Sequence, residues 1–218
     1  MKDSSATVIV ELKGKSEKEV LERIDRSRRK NINKAEREGL TFNKEFSESD
    51  IKKAYEIYAN VWKDGGITPK NYDEWKKLID SKDYQLFILK LKGKIIGSAL
   101  IQKITKKFFN LDSDEKGIRF RAFSSDKEYN DYRPNDFLYW KCIKYAIDNK
   151  LDFVDLGGWQ INARGHLEGV NRFKMQWGGN ILHYQKDYPI LKAIGRKLIK
   201  KSSFFWWLNK KIKGEQVV

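Results

Sequence analysis

Residue types able to do chemistry gather between Leu151 and Tyr184, where the chain reads LDFVDLGGWQINARGHLEGVNRFKMQWGGNILHY. Asp155 lies in a short apolar run, Phe153 to Leu156, that meets Gly157 and Gly158. Such a run reads as a core strand whose end meets a tight turn or a closely approaching ligand. A carboxylate there can take or relay a proton, or cap the turn that follows it. Residues 168–176 have room for two helical turns, with Val170, Phe173 and Trp177 inward and Arg172 and Lys174 beside them. An ammonium such as that of Lys174 can act as a point charge beside an oxygen that becomes negative during a reaction; a solvent-facing helix lysine is the alternative. Gly178 and Gly179 supply a helix stop, and 181–184 reads as a return strand.

The elements needed to position these groups follow an α+β order. Strands are expected at 7–12, 41–46, 85–91, 94–104 and 117–123, and helices at 17–38, 50–61, Tyr72–Ile79 and 137–149. Lys92 and Gly93 form the hairpin turn between the two central strands. Residues 64–70, DGGITPK, read as a loop that either flanks the site as a flap or simply connects. Cys142 is the single cysteine, placed in a helix for packing, and His166 and His183 stand apart, so no metal site is expected.

The 218 residues carry 45 Lys and Arg against 30 Asp and Glu, a net charge of +15. This excess favours anionic partners, such as nucleic acid, phosphorylated carriers or an anionic lipid surface. One cluster, Arg23 to Arg37, forms a basic helical stretch with Ile24, Ile32 and Ala35 on its apolar face. Another spans 191–213, where Lys and Arg alternate with Leu191, Ile194, Phe204, Trp206 and Trp207. This tail reads as a basic amphipathic helix, suited either to a membrane interface or to packing over the core, and is too short in apolar length to span a bilayer. Residues 1–5 are polar with no apolar stretch behind them, which predicts a cytoplasmic protein, at most at the inner face of the membrane.

Three ordered segments, SRRKNINKAEREGLTF, NDFLYWKCIKYAIDNKLDFVDLGG and RFKMQWGG, resemble the second domain of the FemAB-like aminoacyltransferases and the basic R-x-x-I-x-K-A-x-x-x-G segment before it. The resemblance implies the acetyltransferase (GNAT) fold, a mixed, mostly antiparallel sheet flanked by helices. It implies a division into 1–46, the remnant of a first GNAT-like domain with its basic junction helix, then 47–188, the acyltransferase domain, then the tail, 189–218. It also implies transfer of an amino acid from aminoacyl-tRNA to the amine of an anionic, nucleotide- or lipid-linked cell-wall peptide precursor, with no further cofactor. Lys174 matches the family's FK lysine near the transferred group. Asp155 is its expected catalytic companion. Arg28, Arg29 and Arg133 are expected to contact anions, and Arg172 to help bind the substrate. Gly157, Gly158, Trp62, Tyr139, Trp159 and Trp177 are expected to line the cleft, although each aromatic is by itself a core candidate. An acyl-CoA donor is the alternative. It is disfavoured because 124–138, the stretch that would cradle its pyrophosphate, contains no glycine, and Asn135 and Asp136 are expected to cap the next helix. A third reading keeps the fold as a non-catalytic RNA- or lipid-binding partner.

Overall fold

The computed structural model describes residues 2–187. Seven strands form one sheet in the order β2-β3-β4-β5-β6-β1-β7. They are β1 (Lys2–Glu11), β2 (Leu40–Asn43), β3 (Tyr84–Leu91), β4 (Lys94–Thr105), β5 (Lys116–Ser125), β6 (Phe153–Trp159) and β7 (Asn180–Asp187). Every neighbouring pair is antiparallel except β5 with β6. The expected α+β, GNAT-like architecture is therefore present.

Alternation along the strands separates two main layers, because successive side chains of a strand point to opposite faces. Phe87 and Leu89 of β3 join Ile101, Ile118, Val154, Trp140 and Trp177 in the larger core. That core lies under α1 (Glu17–Arg23), α2 (Arg26–Arg37) and α5 (Pro134–Asp148). Leu86 and Ile88 point the other way, into a layer with Ile51, Ala54, Tyr58 and Trp75 from α3 (Glu48–Asp64) and α4 (Tyr72–Ile79). The last helix, α6 (His166–Met175), follows β6.

Several boundaries differ from the sequence reading for local reasons. The single helix expected over 17–38 is two helices. Ile24 is extended, and the Asp25 carboxylate accepts from the Ser27 N–H, capping a new helix. Helix α5 starts at Pro134, a residue suited to a first helical position. The expected caps Asn135 and Asp136 sit inside the helix, and Arg133, at φ 59, takes the cap position without a side-chain hydrogen bond. Strand β6 continues through both glycines that were expected to stop it. The Lys92 and Gly93 turn has both φ values positive, 48 and 79, as a tight hairpin turn of this hand requires. Residues 2–11, assigned from the resemblance to the remnant of a first domain, form an interior strand of the common sheet, between β6 and β7. The amphipathic helix expected over 191–213 lies outside the described residues.

Candidate active site

Strands β5 and β6 pair in parallel at only three registered positions, Gly117 with Phe153, Ile118 with Val154 and Arg119 with Asp155. Both strands continue, to Ser125 and Trp159, without pairing further. They part directly after Asp155, and the split leaves backbone groups available to a side chain or a ligand. On its other edge β6 pairs with β1, and the register shifts between Thr7/Gly158 and Ile9/Asp155. Two residues, Leu156 and Gly157, thus oppose Val8. The bulge places Gly157 at φ 87, a conformation glycine adopts at little cost.

Lys174 enters this split from α6. Its Nζ donates to the carbonyl of Gly158 at 2.7 Å. Burial lowers its pKa below the ordinary lysine value, and the negative charge of Asp155 works in the opposite direction. Asp155 itself is fully buried. Its Oδ1 accepts from the Thr7 hydroxyl and, at 2.8 Å, from the Gly157 N–H. Its Oδ2 lies 3.4 Å from Arg119 Nε. Burial raises the Asp155 pKa, against the pull of Arg119, Thr7, Gly157 and Lys174. Of the two roles read for Asp155, proton relay and turn cap, this geometry matches the cap: the carboxylate ties the bulge to β1 and has no exposed surface for a substrate.

A reciprocal amide pair holds α6 to the end of β6. Asn171 Oδ1 accepts from the Gln160 N–H at 3.1 Å, and its Nδ2 donates to the Gln160 carbonyl at 2.9 Å. Asn171 precedes Lys174 by three residues, so both lie on one helix face. Tyr139 stacks on Trp177 with centroids 5.2 Å apart and meets Phe120 and Phe173 edge-on at 5.0 Å each. Burial pushes the Tyr139 phenol above its usual range, so it stays protonated. Arg28 lies over the Phe173 ring at 5.2 Å and donates to the buried Asp136 at 2.9 Å, while Asn31 donates to the other carboxylate oxygen at 3.1 Å.

The structure brings Asp155, Gly157, Gly158 and Lys174 together, with Tyr139 and Trp177 in the aromatic layer beside Phe173. Trp159, half-buried, packs against the same core. Trp62 packs in the opposite layer, 5.3 Å from Tyr58. Arg28 is occupied by Asp136, and Arg172 is exposed on α6, 3.7 Å from Glu168. Arg29 has a buried Nε without a partner, and Arg133 is exposed at the start of α5. The loop at 64–70 is tied back to α3, since Tyr55 donates to the Lys70 carbonyl and Tyr58 accepts from the Lys70 N–H. Thr7, Arg119 and Asn171 were not anticipated. A Thr in a strand and an Arg between Ile118 and Phe120 carry no signal that separates them from ordinary strand residues.

A family model described as "Acetyltransferase (GNAT) domain" matches residues 25–175. The chain belongs to the GNAT acetyltransferase family. This GNAT domain shares its fold with FemX, at 14% identity and a TM-score of 0.68, covering 83% of this chain and 61% of that one. It also resembles L-PGS from Bacillus licheniformis, at 15% identity and a TM-score of 0.54, covering 88% of this chain and 64% of that one. The chain thus spans less than two thirds of the length of either. The comparison with curated proteins gave no match. The GNAT fold implied by the three sequence segments is the fold these findings show. Among the described residues no helix is long and apolar enough to cross a membrane.

Proposed function

We propose that this domain transfers an amino acid from aminoacyl-tRNA to the amine of an anionic, nucleotide- or lipid-linked cell-wall peptide precursor. The observation that carries the reading is the Lys174 ammonium held at the Gly158 carbonyl in the β5–β6 split. Aminoacyl transfer requires a neutral amine to attack an ester carbonyl. The new C–N bond forms, the C–O bond to the tRNA ribose breaks, and the amine proton passes to the departing ribose oxygen. Negative charge gathers on the carbonyl oxygen between these events, and an ammonium fixed beforehand in a partly dry site stabilises it without reorganising. Asp155, locked by Thr7, Gly157 and Arg119, keeps the strand end in shape and serves as the counter-charge to Lys174. No cofactor enters the scheme.

Two features favour tRNA over acyl-CoA as donor. The first turn of α5 carries Pro134, which lacks an N–H, and the Asp136 carboxylate, neither of which welcomes a pyrophosphate. Arg26, Lys30, Lys34 and Arg37 of α2 make no ion pair among the described residues and suit a phosphate backbone. The basic tail would add contact with an anionic membrane surface.

The deciding experiment offers labelled aminoacyl-tRNA and, in parallel, labelled acetyl-CoA to a pool of amine-bearing envelope precursors. Label moving from tRNA supports the proposal; label moving only from acetyl-CoA replaces it with a CoA-dependent N-acyltransferase. Salt-dependent RNA binding without transfer from either donor replaces it with a binding role. Lys174→Ala is expected to lower transfer about a hundredfold or more, and unchanged turnover would remove the oxyanion role.

A further inference from the structure

A second site lies at the other end of β5, before its pairing with β6 ends. A cavity of about 480 Å³ opens between the end of β4, the start of β5 and the last turn of α5, lined among others by Lys103, Thr105, Lys116, Ile118, Tyr145 and Leu151. A second cavity of about 420 Å³, between β2 and α5, shares Tyr145 and Asn149 with it. Together they make an elongated groove beneath the end of α5, each part within the size range of small-molecule sites.

Its lining carries more positive than negative charge, and Lys116 also feels the carboxylate of Asp114, which is paired with Lys107. Thr105 pairs with Lys116 and Lys103 with Ile118 across β4 and β5, so the two lysines are diagonal neighbours on one sheet face. Neither ammonium has a hydrogen bond or ion pair among the described residues. Lys44, in the second cavity, has its Nζ over the Tyr145 ring at 5.2 Å and no acidic partner there either. The acids lining the groove are paired with lysines of the same wall, Asp148 with Lys144 and Glu36 with Lys141. The Tyr145 ring, braced edge-on by Phe87 at 5.0 Å, divides the groove, and its hydroxyl has no partner among the described residues. Like charges placed side by side on a sheet are unfavourable unless an anion lies between them.

We propose that this groove binds a single anionic acyl chain, with the hydrocarbon along Leu151, Tyr145 and Phe42 and the acid head between Lys103 and Lys116. The site is separate from the acyl-transfer site and does not depend on the proposed donor. A free fatty carboxylate and the chain of an anionic phospholipid share this chemistry, and the test distinguishes them.

Calorimetry with the full chain would compare dodecanoate with dodecyltrimethylammonium below their micellar concentrations, and phosphatidylglycerol vesicles with phosphatidylcholine vesicles. Saturable binding of dodecanoate is expected, with amide shifts at Ile104, Gly117 and Tyr145. Lys103→Glu with Lys116→Glu should weaken it about tenfold or more. Thr105→Trp should weaken it by occupying the rim while leaving both charges in place, and unchanged thermal unfolding of both variants would show that the fold is intact. Binding to phosphatidylglycerol vesicles that both variants lose, with none to dodecanoate, would assign the site to a bilayer lipid. Equal binding of the cationic amphiphile, or anion binding that neither variant changes, would overturn the proposal.

Discussion

At the residue scale, the Lys174 and Asp155 pair carries a pH signature. Burial lowers the Lys174 pKa and the Asp155 charge raises it. If transfer requires the ammonium, activity falls on the alkaline side as Lys174 loses its proton. Removing the Asp155 charge takes away the influence that holds that proton. Asp155→Asn is therefore expected to move the alkaline limb of kcat/KM to lower pH, and a limb that stays in place would show that Lys174 does not titrate in the reaction. Both residues were legible in the sequence, one from its strand end and the other from the family's FK pair. Their partners Thr7 and Arg119 were not. A buried Arg inside a strand looks like a solvent-facing one until the fold shows which face is covered.

At the element scale, the site depends on how α2, α5 and α6 lock together. Arg28 joins all three, through the buried Asp136 and the ring of Phe173. Asp136 has a pKa raised mainly by burial and opposed by Arg28. Arg28→Met leaves that carboxylate without its cation, and a loss of about 3 kcal/mol in unfolding free energy is expected. The sign follows from linkage. With Arg28 gone the folded-state pKa rises further, so the native protein holds more protons than the unfolded chain and its stability falls as pH rises. Urea denaturation should thus show a smaller deficit at pH 4 than at pH 7, and a pH-independent deficit would indicate lost packing alone. Gly179 is the other constraint on this layer, because a Cβ there would lie 2.7 Å from Val8 Cγ1 and 2.9 Å from the Ile9 carbonyl oxygen. Gly179→Ala should cost about 1–3 kcal/mol by forcing β7 off β1, measurable as a lowered Tm. Alternation and turn residues revealed most strands, and the bounds of α4 were read as they stand. The break at Asp25 and the bulge at Gly157 were hidden, since each rests on one local hydrogen bond or φ angle rather than on a periodic pattern.

At the scale of the whole molecule, the sequence reading assigned the first 46 residues by resemblance, and the sheet places residues 2–11 at its interior. No periodicity reports which distant strand a segment will join. The placement predicts that deleting residues 1–12 abolishes the cooperative fold rather than trimming a spare region, because β7 loses its one strand partner among the described residues and Asp155 loses Thr7. Circular dichroism and thermal melting of the shortened chain would check this, and a retained sharp transition would contradict it. The same placement orders events in time. Thr7 and Asp155 stand 148 residues apart. At roughly 10 residues per second on the ribosome, the apolar first strand waits about 15 s for its neighbours to be synthesised. β1 thus stays unpaired until β6 and β7 are made, so the nascent chain carries an open, adhesive edge over that interval. Newly made copies of this protein are the ones a holding chaperone would need to protect.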